Sequence, residues 1–203
     1  MAIKPILFNT EMVRAILDGR KDATRGIVKG FIPDDAVWGY TAFTPKGYIS
    51  CRGTFADGYG EKFFKLPCEP GDILYVRETW GYPIALNSDK QYVFRADEVA
   101  ESGFKNDSHI WHPSIHMPKE AARIWLKVTS VRVERLQDIT SEQICREGVE
   151  VEYPHALNGE EKRYAFSTLW NSTVKKSDID TYGWDANPWV WVIEFERCEK
   201  PEA

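Results

Sequence analysis

The chain lacks a long hydrophobic run, an excess of positive charge and a signal-peptide core. No apolar stretch approaches the roughly 20 residues that span a bilayer, so we expect a cytoplasmic protein without membrane contact. The sequence has 26 basic and 31 acidic residues, for a net charge of −5. No general positive field is available to hold a long phosphate backbone. Any contact with nucleic acid is therefore expected to be local, and no obligate protein partner is inferred.

Cysteine is scarce, and the scattered Cys51, Cys68, Cys145 and Cys198 form no CxxC pair. This spacing excludes a zinc knuckle and indicates no disulfide framework. Large rings are abundant instead: the 203 residues include eight Trp, nine Tyr and ten Phe. This composition and length predict one globular domain over residues 1–203. Within it, the turn signals and aromatic residues of segment 31–66 predict an inserted β-hairpin.

The sequence from Gly19 to Arg25 crowds basic and hydroxyl groups just after a short predicted helix. Asn9 or Thr10 can cap that helix, and Gly19 supplies the left-handed position that ends it. Two chemically useful groups, Lys21 and Thr24, are thus predicted to lie in the exposed connection beyond the helix, where functional groups collect. An alternative is a solvated basic surface, with the threonine capping a turn. That surface would consist of Arg20, Lys21, Arg25 and Lys29.

Periodicity predicts strands and helices along the rest of the chain. The alternation in 123–135 changes parity, which indicates a β-bulge near Ser130. Thr140 and Gln143 form a capping-box pattern for a short helix that Gly148 ends. Residues 175–185 read as a loop. Strands are predicted over 3–8, 73–76, 92–95, 123–135 and 189–195, and a second helix over 161–174.

Polar residues at the end of the strand 73–76 are well placed to line a pocket: Arg77, Glu78, Thr79 and Trp80. Glu78 has an alternative role in a surface salt bridge. The histidines at 109, 112 and 116 have a spacing that invites a metal site, but Pro113 interrupts a helical register and no carboxylate joins them. We expect no metal, and His116 is a candidate pocket wall or hydrogen-bond partner of a base. Tryptophans at 80, 111 and 184 could stack on a base, although rings are more often core.

In this order, the elements resemble the ASCH family of PUA-like domains, most closely its phage and prophage members. The resemblance covers most of the chain. It implies an α+β fold built on a small, curved β-barrel with flanking helices, whose cleft holds RNA or a modified nucleoside. The resemblance is carried by Gly19, Lys21, Thr24 and Arg25, by 70–72 with Arg77, Glu78, Thr79 and Trp80, by 114–118, by Glu147 and Gly148, and by 189–195.

Some small ASCH proteins are amidohydrolases that remove an acyl group from N4-acylated cytidine with a lysine, a threonine and a glutamate. The resemblance implies that Lys21, Thr24 and Glu147 are these residues, with Thr24 as nucleophile, Lys21 as base and Glu147 orienting the lysine. Burial or a neighbouring cation would favour a neutral lysine, whereas an ion pair with Glu147 would favour the ammonium. The sequence leaves that competition open. Ligand contacts are expected from Arg25, Arg77, Glu78, Trp80 and His116.

Two other functions remain open at this stage. One is a non-catalytic RNA-binding module in which Lys21 and Arg25 contact phosphate. The other is a metal-assisted ribonuclease. No cofactor is expected for the hydrolase. Gly26 departs from the family pattern, because close relatives often carry a second basic residue there, and this weakens the expectation of phosphate binding.

Overall fold

The protein combines two larger β-sheets with a few short helices, and a computed structural model describes residues 1–83, 91–98, 110–151 and 160–202. The strands are β1 (Ile3–Leu7), β2 (Ala23–Ile27), β3 (Val37–Gly39), β4 (Tyr48–Phe55), β5 (Gly58–Lys65), β6 (Ile73–Arg77), β7 (Trp80–Gly81), β8 (Val93–Phe94), β9 (Trp125–Arg135) and β10 (Trp189–Cys198). The helices are α1 (Thr10–Leu17), α2 (Ser141–Arg146), α3 (Glu160–Thr173) and α4 (Ile179–Tyr182).

The central sheet has five strands in the order β1-β6-β9-β10-β2. β1 and β6 run parallel, and the other neighbours are antiparallel. This mixture confirms the α+β class. Within the described residues, the edge strands β1 and β2 are not paired with each other. Closure of the sheet into a barrel therefore stays a prediction.

Strand β10 lies inside this sheet and is covered on both faces. Trp191 and Ile193 face a core cluster that also contains residues of α1, whereas Val190 and Val192 face a second cluster under α3. The register against β9 changes where Glu194 pairs with Ser130 and the next residue pairs with Val128. Thr129 is therefore the extra residue of a β-bulge, as the parity change predicts.

Strands β3, β4 and β5 form a separate three-stranded sheet within segment 31–66. Phe55 pairs with Gly58, so Ala56 and Asp57 make the predicted hairpin turn. Trp38 of β3 contacts the rings of Phe64 and Trp189 edge-on, which joins this sheet to the central one. The hairpin is confirmed, while its status as an insertion stays a prediction.

The predicted caps of the two helices near the candidate site, α1 and α2, are present. The Asn9 side chain accepts a hydrogen bond of 2.8 Å from the Met12 amide, and Gly19 has a φ of +76° after α1. The capping box of Thr140 and Gln143 starts α2, as predicted. Asn9 and the capping box fix where α1 and α2 begin, and Gly19 follows the end of α1; the C-terminal ends of both helices border the candidate site.

The loop prediction for 175–185 is wrong, because the segment contains a 3₁₀ turn, Lys176–Asp178, followed by α4. It is held against α3 by the Trp170 indole, which donates to the Tyr182 carbonyl at 2.8 Å. Among the described helices, none is long and apolar enough to cross a membrane.

Candidate functional site

Lys21 and Thr24 do not lie in an exposed connection, which corrects that prediction. Lys21 forms an isolated antiparallel bridge with Glu147, and Thr24 belongs to β2, paired with Ile193 of β10. The chain joins the central sheet almost immediately after α1 because β10 offers a free edge there. The reactive residues are thus held by regular backbone pairing.

The Lys21 ammonium is fully buried, with a side chain that is 0% exposed. Its Nζ atom donates to the Glu147 carboxylate at 2.8 Å, to the Glu147 carbonyl at 2.9 Å and to the Ala23 carbonyl at 2.7 Å. An ammonium has three N–H donors and no lone pair. All three donors are matched by oxygen atoms, so this arrangement is that of a charged lysine paired with a carboxylate.

Arg25 holds the other oxygen of the same carboxylate. Its Nη1 atom donates to Glu147 Oε1 at 2.9 Å, and Nη2 donates to the Gln143 side chain at 3.1 Å. Glu134 lies 3.4 Å from Nη2, and the Arg25 side chain is only 1% exposed. Lys21 and Arg25 are therefore not solvated surface, and that alternative is wrong for both; it fits the exposed Lys29 and the partly exposed Arg20.

Thr24 lies next to this network but does not bond to it. Successive side chains of a strand project to opposite faces, so Thr24 and Arg25 point away from each other. Thr24 is 8% exposed, and within the described part of the chain its hydroxyl has no hydrogen-bond partner. Two residues on, a Cβ added at Gly26 would meet no atom within 4 Å. The structure brings Lys21 and Glu147 together, whereas the Thr24 side chain is buried on β2, two residues before a position with open space.

A second buried ion pair joins Glu78 to Arg123. Arg123 donates from Nε and Nη2 to the two Glu78 oxygens at 2.9 and 3.0 Å, and from Nη1 to both oxygens of Asp97 at 2.8 and 2.9 Å. Glu78 is 1% exposed, so the surface salt-bridge alternative is wrong. Burial raises the pKa of the Glu78 carboxyl, and the Arg123 guanidinium offsets only part of this effect.

Glu78→Gln should flatten the pH dependence of stability above the ordinary glutamate value of 4.5. Because the pKa is raised in the folded state, the folded protein keeps a proton that the unfolded chain has already lost. Stability therefore falls as pH rises through this window. Urea unfolding between pH 4.5 and 7 should give a shallower fall for the variant than for the parent. A difference of the opposite sign, or the same change in the exposed Glu142→Gln control, would contradict the assignment.

The other expected ligand contacts lie around this second ion pair. Arg77 donates to the Ile115 carbonyl at 3.2 Å, and His116 is exposed on a 3₁₀ turn. Trp80 is buried, with its ring 4.9 Å from that of His112. Within the described residues, no recorded contact connects these three with Lys21 or Glu147. Their roles as ligand contacts stay predictions.

Of the remaining candidates, Trp184 packs edge-on against Phe166 at the border of the cluster under α3, and both Trp184 and Trp111 are partly buried. His109 lies outside the described residues. Among those that are described, no group of three His, Cys, Asp or Glu side chains is placed to hold a metal ion.

Sequence reasoning missed Arg123, Asp97, Gln143 and Glu134 as members of these networks. Glu134 had a usable signal: beyond the bulge, it alternates with Val131 and Val133 and must face away from their core cluster. Arg123 had none, because it precedes its strand and its partners are distant in the sequence.

No protein-family model and no curated protein matches the chain. Among solved structures, the crystal structure of an ASCH domain from Lactobacillus crispatus JV V101 is similar. The similarity covers 97% of this chain and 79% of that one, with 11% sequence identity and a TM-score of 0.39. Agreement at this level supports no conclusion about activity, and it has no bearing on a phage origin.

Proposed function

We propose that the chain is an ASCH-type amidohydrolase of the phage and prophage kind, with a PUA-like barrel, that deacylates N4-acylated cytidine. The observation that supports this best is the buried Lys21–Glu147 ion pair, which involves a lysine three residues before Thr24, whose hydroxyl has no hydrogen-bond partner among the described residues. Removing two charges from water is costly, and a hydrophobic pair of similar volume is often at least as stable. We therefore attribute the presence of this pair to chemistry at Thr24.

In the proposed reaction, Thr24 Oγ1 attacks the acyl carbonyl carbon of the substrate. The bond from that carbon to N4 of the cytosine then breaks, and N4 takes up the proton that the threonine lost. Water hydrolyses the resulting threonine ester, which releases a carboxylic acid and restores the hydroxyl. The sum is one amide and one water converted to cytidine and an acid, as acyl transfer through a covalent intermediate requires.

Lys21 must lose a proton before it can act as the base for Thr24. Its hydrogen bond to Glu147 Oε2, at 2.8 Å, provides the route, because the proton can pass along this bond to the carboxylate. The neutral amine would then accept the Thr24 proton after a rearrangement that brings Thr24 Oγ1 within hydrogen-bond distance, because among the described residues Lys21 Nζ bonds only to Glu147 and the Ala23 carbonyl. Arg25 opposes the first transfer by stabilising the charged carboxylate through its 2.9 Å bond to Oε1. We propose that substrate binding in the space beside Gly26 loosens these contacts.

Burial disfavours the RNA-binding module as first stated. A phosphate group needs access to the cations that bind it, and the side chains of Lys21 and Arg25 are buried and already donate to the Glu147 carboxylate. RNA bound at the open space beside Gly26 is the remaining form of this alternative, and the experiment below separates that case.

Thr24→Val should lower the rate at which N4-acetylcytidine is converted to cytidine, followed by chromatography, by about 10³-fold or more, because removing a catalytic nucleophile costs up to about 10⁶-fold in kcat. Thr24→Ser, which keeps a hydroxyl, should retain turnover. The matched control is Thr129→Val on the exposed bulge of β9. Full turnover by Thr24→Val would exclude Thr24 as the nucleophile. If the parent protein shows no turnover but binds RNA, the non-catalytic RNA-binding module is favoured.

A further inference from the structure

A cavity of about 480 Å³ is lined in part by Arg123, the partner of Glu78. Its volume falls in the range of roughly 300 to 1,000 Å³ that is typical of small-molecule sites. Neither Lys21 nor Thr24 lines it, so its ligand and the proposed deacylation are separate properties. The lining includes three aromatic rings and three carboxylates, and this combination indicates what the cavity can accept.

The aromatic part of the lining comes from Tyr92, Phe94 and Trp111. The electron-rich faces of such rings attract organic cations at distances within about 6 Å. Arg123 already demonstrates this chemistry inside the protein, because its guanidinium carbon lies 4.1 Å from the centre of the Phe94 ring. Its edge is held by Glu78 and Asp97, so the group is fixed in place.

The charged part of the lining is predominantly acidic. Asp97, Glu98 and Glu120 border the cavity, and Arg123 is the one cation among the lining residues that the structure describes. Glu78 and Asp97 already neutralise that cation. The nearby Arg14 is directed at the carbonyls of Ala96 and Glu98. Among the described residues of the lining, a surplus of carboxylates therefore remains, which repels an anion and attracts a cation.

Glu120 is placed to pair with a cation that lies on the Tyr92 ring. Burial and, next, the Glu120 charge raise the pKa of the Tyr92 phenol, as expected when a carboxylate lies close to the ring. Glu120 and Glu98 are both exposed, so their charges are available to a ligand. A ring on one side and carboxylates around the rim match the flat face and N–H edge of a guanidinium.

We propose that this cavity is a binding site for an organic cation, specifically an alkyl guanidinium group. The group lies against Tyr92 and Trp111 and donates to Glu98 and Glu120. The bound guanidinium would thus stack on a ring and donate to carboxylates, as the Arg123 guanidinium does with Phe94 and Asp97. Two sources share this chemistry: a free small guanidine compound, and an arginine side chain presented by a peptide.

The test uses the full chain and two ligands of the same shape, n-butylguanidinium and n-butylurea, titrated by NMR with the Trp111 indole resonance as the probe. We expect saturable shifts with the guanidinium and none with the uncharged urea. Glu120→Gln should weaken binding by up to about 5-fold, and Trp111→Leu by roughly 2- to 30-fold. The exposed Glu142→Gln, on α2, is the matched charge control and should bind as the parent does.

A second comparison identifies the source of the guanidinium. A short peptide with one internal arginine is titrated against the same peptide with citrulline at that position. Selective binding of the arginine peptide assigns the site to a protein segment, and binding of butylguanidinium alone assigns it to a free compound. Equal binding of butylguanidinium and butylurea, tighter binding of an anion such as butyrate, or an unchanged affinity in both Glu120→Gln and Trp111→Leu would overturn the proposal.

Discussion

Glu147→Gln is expected to lower the free energy of unfolding by about 3–5 kcal/mol, the cost of removing one partner from a buried ion pair. The substitution keeps the shape of the side chain but removes the charge that two buried cations share, Lys21 at 2.8 Å and Arg25 at 2.9 Å. Arg25 retains Glu134 and Gln143, whereas Lys21 retains only carbonyl acceptors. Most of the loss should therefore arise at Lys21. Thermal unfolding should show a decrease in Tm of about 6–20 °C, because a loss of about 1 kcal/mol lowers Tm by roughly 2–4 °C in a chain of this size.

Glu150→Gln is the matched control for this loss. Glu150 also pairs with an arginine, Arg20, at 3.2 Å, but its side chain is 73% exposed. Exposed pairs contribute about 0–1 kcal/mol, so the control should unfold almost like the parent. Equal effects of the two substitutions would mean that the Lys21–Glu147 pair is accessible to water, and the assignment of a buried pair would fail.

A double variant separates the pair from its surroundings. Lys21→Met removes the cation that Glu147→Gln leaves unpaired, so the second substitution should cost much less in the presence of the first. A coupling energy of about 1–3 kcal/mol is expected for groups in direct contact. Additive effects would show that the two side chains do not depend on each other for stability.

Local signals predicted the local structure well because each has a mechanism confined to a few residues. The Asn9 cap, the capping box at Thr140 and the glycine at 148 each satisfy backbone groups of the nearest helix turn. The bulge near Ser130 was equally readable, since strand alternation changes face when one residue is inserted. These predictions do not depend on how the rest of the chain folds.

The environment of Lys21 was beyond such reasoning. Its partner Glu147 is 126 positions away, and only the family resemblance paired the two residues. Local composition around Lys21 indicated a basic surface, and burial of its charges depends on contacts from α2 that no local pattern describes. The sequence also assigned Thr24 to a connection, because the sheet edge that receives residues 23–27 comes from the last strand of the chain.

Gly148→Ala should be nearly as damaging as the loss of Glu147 and tests how closely α1 and α2 approach at the site. Gly148 has a φ of +83°, a conformation that costs a residue with a Cβ about 1–2 kcal/mol. The new Cβ would also lie 2.6 Å from Ala15 Cβ and 3.1 Å from Lys21 Cβ. Overpacking of this kind adds about 1–3 kcal/mol. Chemical unfolding should therefore show a loss of about 2–5 kcal/mol.

Gly19→Ala provides the comparison that isolates the steric part of this effect. Gly19 has a similar φ of +76°, but a Cβ there would meet no atom within 4 Å. Its replacement should cost only the conformational part, about 1–2 kcal/mol. The difference between the two variants then measures the contact of α2 with Ala15 and Lys21. Because Gly148 follows Glu147 directly, relief of the clash must move the Glu147 carboxylate relative to Lys21. A Gly148→Ala loss no larger than that of Gly19→Ala would mean that the two helix ends separate easily, and that the buried ion pair between them is not held by packing.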